Sequence, residues 1–136
     1  MTQWHSVADV VVVGAALIEG GRLLAAQRDG PPQLAGRWEL PGGKVESGES
    51  DTDALVRECR EELGAEVRLG ERLGGDWPLG NGVVMRVWFA EIAHGPVRPL
   101  EHRSLRWLAR DELFSVDWLP ADVPIVEALR THLDGG

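Results

Sequence analysis

The feature that most constrains the fold of this chain is an amphipathic helix with an acidic polar face. The pattern predicts this helix from about Asp51 to Leu63. Ser50 suits its N-cap and Gly64 suits its C-terminal end. Apolar side chains recur along one face of it: Leu55, Val56, Cys59 and Leu63. Such a stripe must be buried against another layer, which the rest of the chain has to supply.

Three glutamates share another face of the same helix. Glu58, Glu61 and Glu62 are spaced i, i+3 and i+4, so their carboxylates leave the helix on one side. Mg²⁺ and Mn²⁺ prefer carboxylate oxygens and water as ligands. Two interpretations stay open from the helix alone: a divalent metal site, or a solvated acidic stripe.

The remaining sequence predicts strands before and after this helix. The β-branched residues 7–18 indicate a buried strand, which is either central in a sheet or paired across a dimer. Further strands are predicted at 22–28, 37–40, 66–76, 83–92 and 104–108, and a closing helix at 123–133. Residues 44–49 are predicted to be irregular and 78–82 to form a turn. The order indicates an α/β fold, with a mixed sheet and helices packed on its faces.

Size and charge narrow the class of protein. With 136 residues, 1–136 is predicted to be a single domain, with loose ends at 1–6 and 134–136. One cysteine, Cys59, permits no internal disulfide. A net charge of −8 argues against duplex nucleic acid and anionic membranes as partners, and no apolar run is long enough to cross a membrane. We therefore expect a cytoplasmic protein, either a monomer or a homodimer.

Residues 43–65 resemble the Nudix box of the Nudix hydrolases. That pattern is a glycine, five residues, a glutamate and seven residues, followed by Arg-Glu, an aliphatic residue, any residue, Glu-Glu, any residue, a glycine and an aliphatic residue. Every fixed polar and glycine position is met here, from Gly43 to Gly64. Cys59 and Ala65 stand where larger aliphatic residues are usual.

The resemblance extends along nearly the whole chain. Segments 25–28, 36–43 and 119–124 look like those of the MutT-like branch, which are small nucleoside triphosphate pyrophosphohydrolases. The resemblance implies an α/β/α sandwich with a catalytic loop–helix–loop. It also implies hydrolysis of a nucleoside triphosphate to a nucleoside monophosphate and pyrophosphate.

A metal site follows from the same resemblance. It implies that Glu58, Glu61 and Glu62 bind Mg²⁺, for which Mn²⁺ can substitute. A backbone carbonyl of Gly42 or Gly43 would complete the ligands. The metal would bridge the carboxylates and the phosphates of the substrate, which carry the same sign of charge.

Catalytic roles are implied for three residues. Glu58 is the first choice to accept the proton from the attacking water, and Glu101 is the rival. Arg57 would contribute to catalysis indirectly, because it would pair with Glu49 and hold the loop against the helix.

The predicted substrate contacts are Arg28, Glu39 and Asp122. Arg28 would hold the terminal phosphates, and Glu39 belongs to the segment 36–43 that carries the resemblance. Asp122 occupies the position from which MutT-like enzymes read the base, and a carboxylate accepts from the N4 amine of cytosine. This favours (d)CTP or 5-methyl-(d)CTP, with 8-oxo-(d)GTP as the alternative. A simpler interpretation makes Asp122 only the N-cap of the closing helix.

Two other function classes stay open. One is a non-catalytic Nudix module that binds a nucleotide without turnover, and the other is a structural protein with a solvated acidic helix. His94 and His102 are interpreted as loop residues, and contact of either one with the substrate stays open as an alternative.

Overall fold

The computed structural model describes residues 10–135, which form one mixed sheet between helical layers. The predicted loose end 1–6, the first three residues of the predicted strand 7–18, and residue 136 lie outside the described part. The strands are β1 (Val10–Glu19), β2 (Arg22–Gln27), β3 (Trp38–Glu39), β4 (Gly42–Lys44), β5 (Glu66–Arg72), β6 (Trp77–Gly80), β7 (Val83–His94) and β8 (Ser104–Leu108). The helices are α1 (Asp51–Leu63) and α2 (Val123–Leu129), with 3₁₀ turns at Arg110–Ser115, Pro120–Asp122 and Arg130–His132.

Strand β1 is central in this sheet. It pairs antiparallel with β2 and β4 and parallel with β7. The path through the sheet runs β3-β2-β1-β7-β5, while β8 pairs with β2 and β6 pairs with β7. Of the two positions left open for the first strand, the structure therefore has the central one.

The two faces of the sheet bury two separate apolar layers. Val13, Ala15 and Leu17 of β1 pack with the apolar stripe of α1. Ala16, between them in sequence, lies on the opposite face in the cluster that includes residues of α2. This alternation is the strand period of two, and it confirms the α/β/α sandwich.

Several predicted boundaries are wrong. Residues 42–44 form a strand, which includes the first residue of the segment 44–49 predicted to be irregular. Residues 77–80 form a strand that overlaps the turn predicted at 78–82. The closing helix ends at Leu129 and continues as a 3₁₀ turn. His94 is the last residue of β7 and not a loop residue. Asp134 is not loose, because its N–H donates to the Gly21 carbonyl.

No helix among residues 10–135 is long and apolar enough to cross a membrane.

Candidate active site

Helix α1 is fixed at both ends and along its buried face. The Asp53 N–H donates to the Ser50 hydroxyl at 3.1 Å, so Ser50 is the N-cap as predicted. Gly64 ends the helix in the left-handed region, with φ of 68°, which a glycine adopts at little cost. Cys59 is fully buried in the apolar stripe, and burial raises the pKa of its thiol to about 12. The acidic face is thereby directed towards the loop that precedes the helix.

Arg57 joins this loop to the acidic face. Its Nε donates to Glu49 Oε2 at 2.6 Å and its Nη2 donates to Glu49 Oε1 at 3.0 Å. Its Nη1 donates to Glu58 at 3.2 Å and to Glu61 at 3.1 Å. The hydrogen bonds from Arg57 hold the pKa of the Glu49 carboxyl below its usual value. The pairing implied by the sequence resemblance is therefore present, and the same guanidinium also contacts two of the three helix glutamates.

Glu58 and Glu62 form a closely spaced, largely buried pair. The side chain of Glu58 is 15% exposed and that of Glu62 is 8% exposed. A Cβ at Gly43 would lie 2.4 Å from Glu58 Oε2, so any larger residue there would displace this carboxylate. The Gly42 N–H donates to Glu62 Oε1 at 3.3 Å. Burial raises the pKa of Glu62, and the neighbouring Glu58 carboxyl raises it further, so a cation at this position would be stabilised.

The donor set suits a hard divalent cation. Glu58, Glu61 and Glu62 offer carboxylate oxygens, and two of these groups are already together. Within residues 10–135, however, no three His, Cys, Asp or Glu side chains converge at the spacing of a metal centre. Glu61 is half-exposed, and one of its oxygens, Oε1, accepts from Arg57 Nη1. A carboxylate has a second oxygen, so binding of a metal by all three glutamates is compatible with this ion pair.

The predicted substrate residues Arg28 and Glu39 are bonded to each other. Arg28 Nη1 donates to Glu39 Oε1 at 3.0 Å, and Arg28 Nε donates to the Gly30 carbonyl at 3.0 Å. The other oxygen of Glu39 lies 2.8 Å from His102 Nε2. Because an ionised carboxylate only accepts, His102 Nε2 carries the proton of this bond.

Asp122 points into the structure, and its side chain does not cap α2. It is 4% exposed, and its Oδ2 accepts from the Leu40 N–H at 2.9 Å. Asp122 occupies the N-cap position of α2, but its side chain makes no capping hydrogen bond there, so the N-cap interpretation is confirmed for the backbone position and wrong for the side chain. Burial raises the pKa of Asp122 to about 7, although the Leu40 N–H lowers it and Glu39 raises it.

One cavity of about 410 Å³ connects these groups. Of the residues predicted for catalysis, metal or substrate, those that line it are Arg28, Glu39, Gly42, Glu62, Glu101 and Asp122. Glu101 is exposed. Glu58, Glu61 and Arg57 lie on α1 outside this lining. The predicted substrate residues thus line the same cavity as Glu62, one of the predicted metal ligands.

Sequence reasoning missed two contributions to the cavity. The amide of Leu40 orients Asp122, and Leu79 and Met85 supply an apolar wall. Nothing local in the sequence marks these residues. His102, which the sequence offers only as a loop residue with substrate contact as an alternative, also lines the cavity, and its side chain is 5% exposed.

The NUDIX domain family matches residues 8–129 of this chain. The chain belongs to the NUDIX family. It is 44% identical over 128 residues to a Mycobacterium tuberculosis protein named "Putative 8-oxo-dGTP diphosphatase 2", which covers 92% of this chain and 91% of that protein. It is 39% identical over 121 residues to the Escherichia coli CTP pyrophosphohydrolase, covering 88% of this chain and 90% of that enzyme.

The fold comparison agrees with this assignment. The crystal structure of a MutT NUDIX hydrolase from Burkholderia pseudomallei matches with a TM-score of 0.76 and 34% identity, over 88% of this chain and 97% of the other. The chain is thus a Nudix hydrolase of the MutT-like branch, as the sequence resemblance indicated.

Proposed function

We propose that this Nudix hydrolase is a Mg²⁺-dependent nucleoside triphosphate pyrophosphohydrolase that releases a nucleoside monophosphate and pyrophosphate. The favoured substrates are (d)CTP and 5-methyl-(d)CTP. One observation carries the proposal: a single cavity holds Asp122 together with Glu62 of the candidate metal site and Arg28. A base and its phosphates would occupy such a cavity together.

Glu58, Glu61, Glu62 and a carbonyl of Gly42 would hold the metal. Mg²⁺ supplies charge neutralisation for the phosphate oxygens and lowers the pKa of a bound water, and Mn²⁺ can substitute for it. Phosphoryl chemistry depends mainly on positioning and charge neutralisation, so a site of fixed carboxylates suffices for it. The protein's own part is to hold these groups on α1 and its preceding loop.

The proton of the attacking water would pass to Glu58, with Glu101 as the alternative acceptor. Glu58 is close to Glu62 and is oriented by Arg57, which favours it. Glu101 lines the cavity and is exposed. Arg28 would bind the terminal phosphates, in a position set by its bonds to Glu39 and to Gly30.

Asp122 would read the base. Its Oδ2 is used by the Leu40 N–H, and Oδ1 remains to accept from the N4 amine of cytosine. The Escherichia coli relative named for CTP supports the same assignment.

A second substrate class, 8-oxo-(d)GTP, is favoured by the name of the Mycobacterium tuberculosis relative. The chemistry of Asp122 also permits it. With a pKa of about 7, the carboxyl is partly neutral near pH 7, so Oδ1 accepts in the ionised form and donates as a hydroxyl in the neutral form. The acceptor matches the N4 amine of cytosine or the N7–H of an oxidised guanine, and the donor matches N3 of cytosine or O6 of an oxidised guanine.

The test is pyrophosphate release with Mg²⁺ from a panel of dCTP, 5-methyl-dCTP, 8-oxo-dGTP and dGTP. We expect the two cytosine nucleotides to lead. If they are among the poorest substrates, the cytosine assignment is wrong, and a lead for 8-oxo-dGTP supports the second candidate.

A pair of variants tests the metal site in the same assay. Glu61→Gln combined with Glu62→Gln is expected to abolish turnover and leave the protein folded. Glu71→Gln, an exposed glutamate of β5, is the matched control and should retain full activity. Unchanged turnover in the double variant would refute the metal assignment, while a parent protein that binds nucleotide without turnover would be a non-catalytic module.

A further inference from the structure

His102 is buried to a degree that its loop position does not explain. Its side chain is 5% exposed, and it lies between the carboxylates of Glu39 and Glu62. Its Nδ1 is 4.0 Å from Glu62 Oε1. Among the described residues, Nδ1 of His102 is the one buried side-chain polar atom without a hydrogen-bond partner. Burying an unsatisfied polar atom is unfavourable, so an apolar residue would fill this position better if its role were packing alone.

The other ring nitrogen of His102, Nε2, is hydrogen-bonded to the Glu39 carboxylate. Nε2 of His102 lies 2.8 Å from Glu39 Oε2, and Arg28 Nη1 lies 3.0 Å from Glu39 Oε1. Each oxygen of the carboxylate is therefore held by a different partner, one in the loop after β2 and one in the loop before β8. Rotation of the carboxylate would break one bond or both, so the orientation of Glu39, and with it that of Arg28, depends on the imidazole.

We infer that His102 is a positioning residue that fixes the Glu39 carboxylate and so holds Arg28 in place for the substrate phosphates. This rests on the proposed function, in which Arg28 and Glu39 belong to the substrate site. His102 acts through Glu39 and does not itself contact the reacting atoms. Its loss should therefore weaken ground-state and transition-state binding alike, which raises KM and leaves kcat nearly unchanged.

Two amide variants separate this role from a packing role. The amide nitrogen of Gln reaches about as far from the backbone as Nε2, whereas that of Asn reaches only as far as Nδ1. We expect His102→Asn to raise the KM for the best nucleotide by about 10-fold, by analogy with the loss seen when a residue that orients a metal ligand is removed. His102→Gln should restore KM to within about threefold of the parent value, because it again donates to Glu39. His94→Gln, at an exposed histidine, is the control and should change nothing.

A double-mutant cycle tests the route through Glu39. In a Glu39→Ala background, His102→Asn and His102→Gln should have equal KM values, because the carboxylate that distinguishes them is gone. Equal KM values for the two amides in the parent background would overturn the inference, as would a difference that persists without Glu39. If the parent binds nucleotide without hydrolysing it, the proposed function fails. The Kd of dCTP is then measured by calorimetry for each member of the same cycle. Equal Kd values for the two amide variants in the parent background, or a difference that persists without Glu39, would overturn the inference.

Discussion

Glu62 and Asp122 are the two buried acidic residues of one cavity, and they are held in different ways. Both are less than a tenth exposed, and each accepts one backbone N–H, from Gly42 and from Leu40 respectively. Glu62 also lies beside the Glu58 carboxylate, while no second carboxylate is bonded to Asp122 among the described residues. The pKa of both is raised, mainly by burial; at Glu62 the adjacent Glu58 adds to it through a hydrogen bond and its charge, whereas Glu39 raises the pKa of Asp122 only through its charge.

The difference indicates what each end of the cavity accepts. Two carboxylates brought together out of water repel each other and are stabilised by a cation. A single buried carboxyl with one free oxygen and a pKa near neutrality is suited to an uncharged partner with a donor and an acceptor. One end therefore suits a metal ion and the phosphates, and the other end suits a base.

The strongest test of this contrast is Glu62→Gln. The Gln carbonyl can still accept from the Gly42 N–H, so the local structure is retained while the charge is lost. We expect kcat to fall by about 10²- to 10³-fold with every nucleotide, as when a preorganised charge-stabilising group is removed. Initial rates of pyrophosphate release at saturating Mg²⁺ measure it, with Glu71→Gln as the control. A loss confined to one base would contradict the assignment of Glu62 to the metal end.

Metal binding should distinguish the two carboxylates without any substrate. A ligand present at 100 times its Kd stabilises the folded state by about 2.7 kcal/mol, which corresponds to several degrees in Tm for a domain of this size. We expect Mg²⁺ to raise the Tm of the parent protein and of Asp122→Asn equally. The rise should be absent in Glu62→Gln. Thermal unfolding with and without Mg²⁺ checks this, and an undiminished shift in Glu62→Gln would place the ion elsewhere.

The raised pKa of Asp122 predicts a pH-dependent cost to stability. The folded state keeps the proton up to about pH 7, while the unfolded chain releases it near its ordinary value of 3.8. Between these values the folded state binds more protons, so the free energy of unfolding falls as pH rises. In Asp122→Asn this contribution is absent.

We therefore expect the stability of Asp122→Asn relative to the parent to increase by about 2 kcal/mol from pH 5 to pH 8. Urea unfolding of the metal-free proteins at the two pH values measures it. A relative stability that does not change with pH would show that Asp122 titrates normally in the folded state.

The smallest expected effect is on base selectivity. Asp122→Asn keeps one acceptor and one donor but fixes them at all pH values, so activity with the best base should fall by no more than about 10-fold. The ratio of kcat/KM between dCTP and 8-oxo-dGTP should change, whereas Glu62→Gln should leave it unaltered. A constant ratio in Asp122→Asn would contradict the assignment of this residue to the base.

The parts of the fold that the sequence predicted are those specified by neighbouring residues. Helix α1 has the predicted bounds, because its cap, stripe and terminal glycine all lie within fifteen positions. Strand β4 was missed because two of its three residues are glycines and it is held by pairing with 12–14 of β1. Pro78 and Gly80 predict a turn where β6 lies, but pairing with β7 makes this segment a strand.

The same distinction holds for the candidate site. The contacts of Arg57 with Glu49 and Glu61 follow from spacing along the box and the helix. The bond from the Leu40 amide to Asp122 spans 82 positions, and the bond between His102 and Glu39 spans 63. No local pattern encodes such contacts, because they depend on which loops the sheet brings together.

The most direct test of the central claim is the identity of the products. The parent protein is incubated with dCTP and Mg²⁺, and the products are separated by ion-exchange chromatography. The proposed function predicts dCMP and pyrophosphate in equal amounts, formed only when a divalent cation is present. Formation of dCDP and phosphate, or turnover that persists in EDTA, would contradict it.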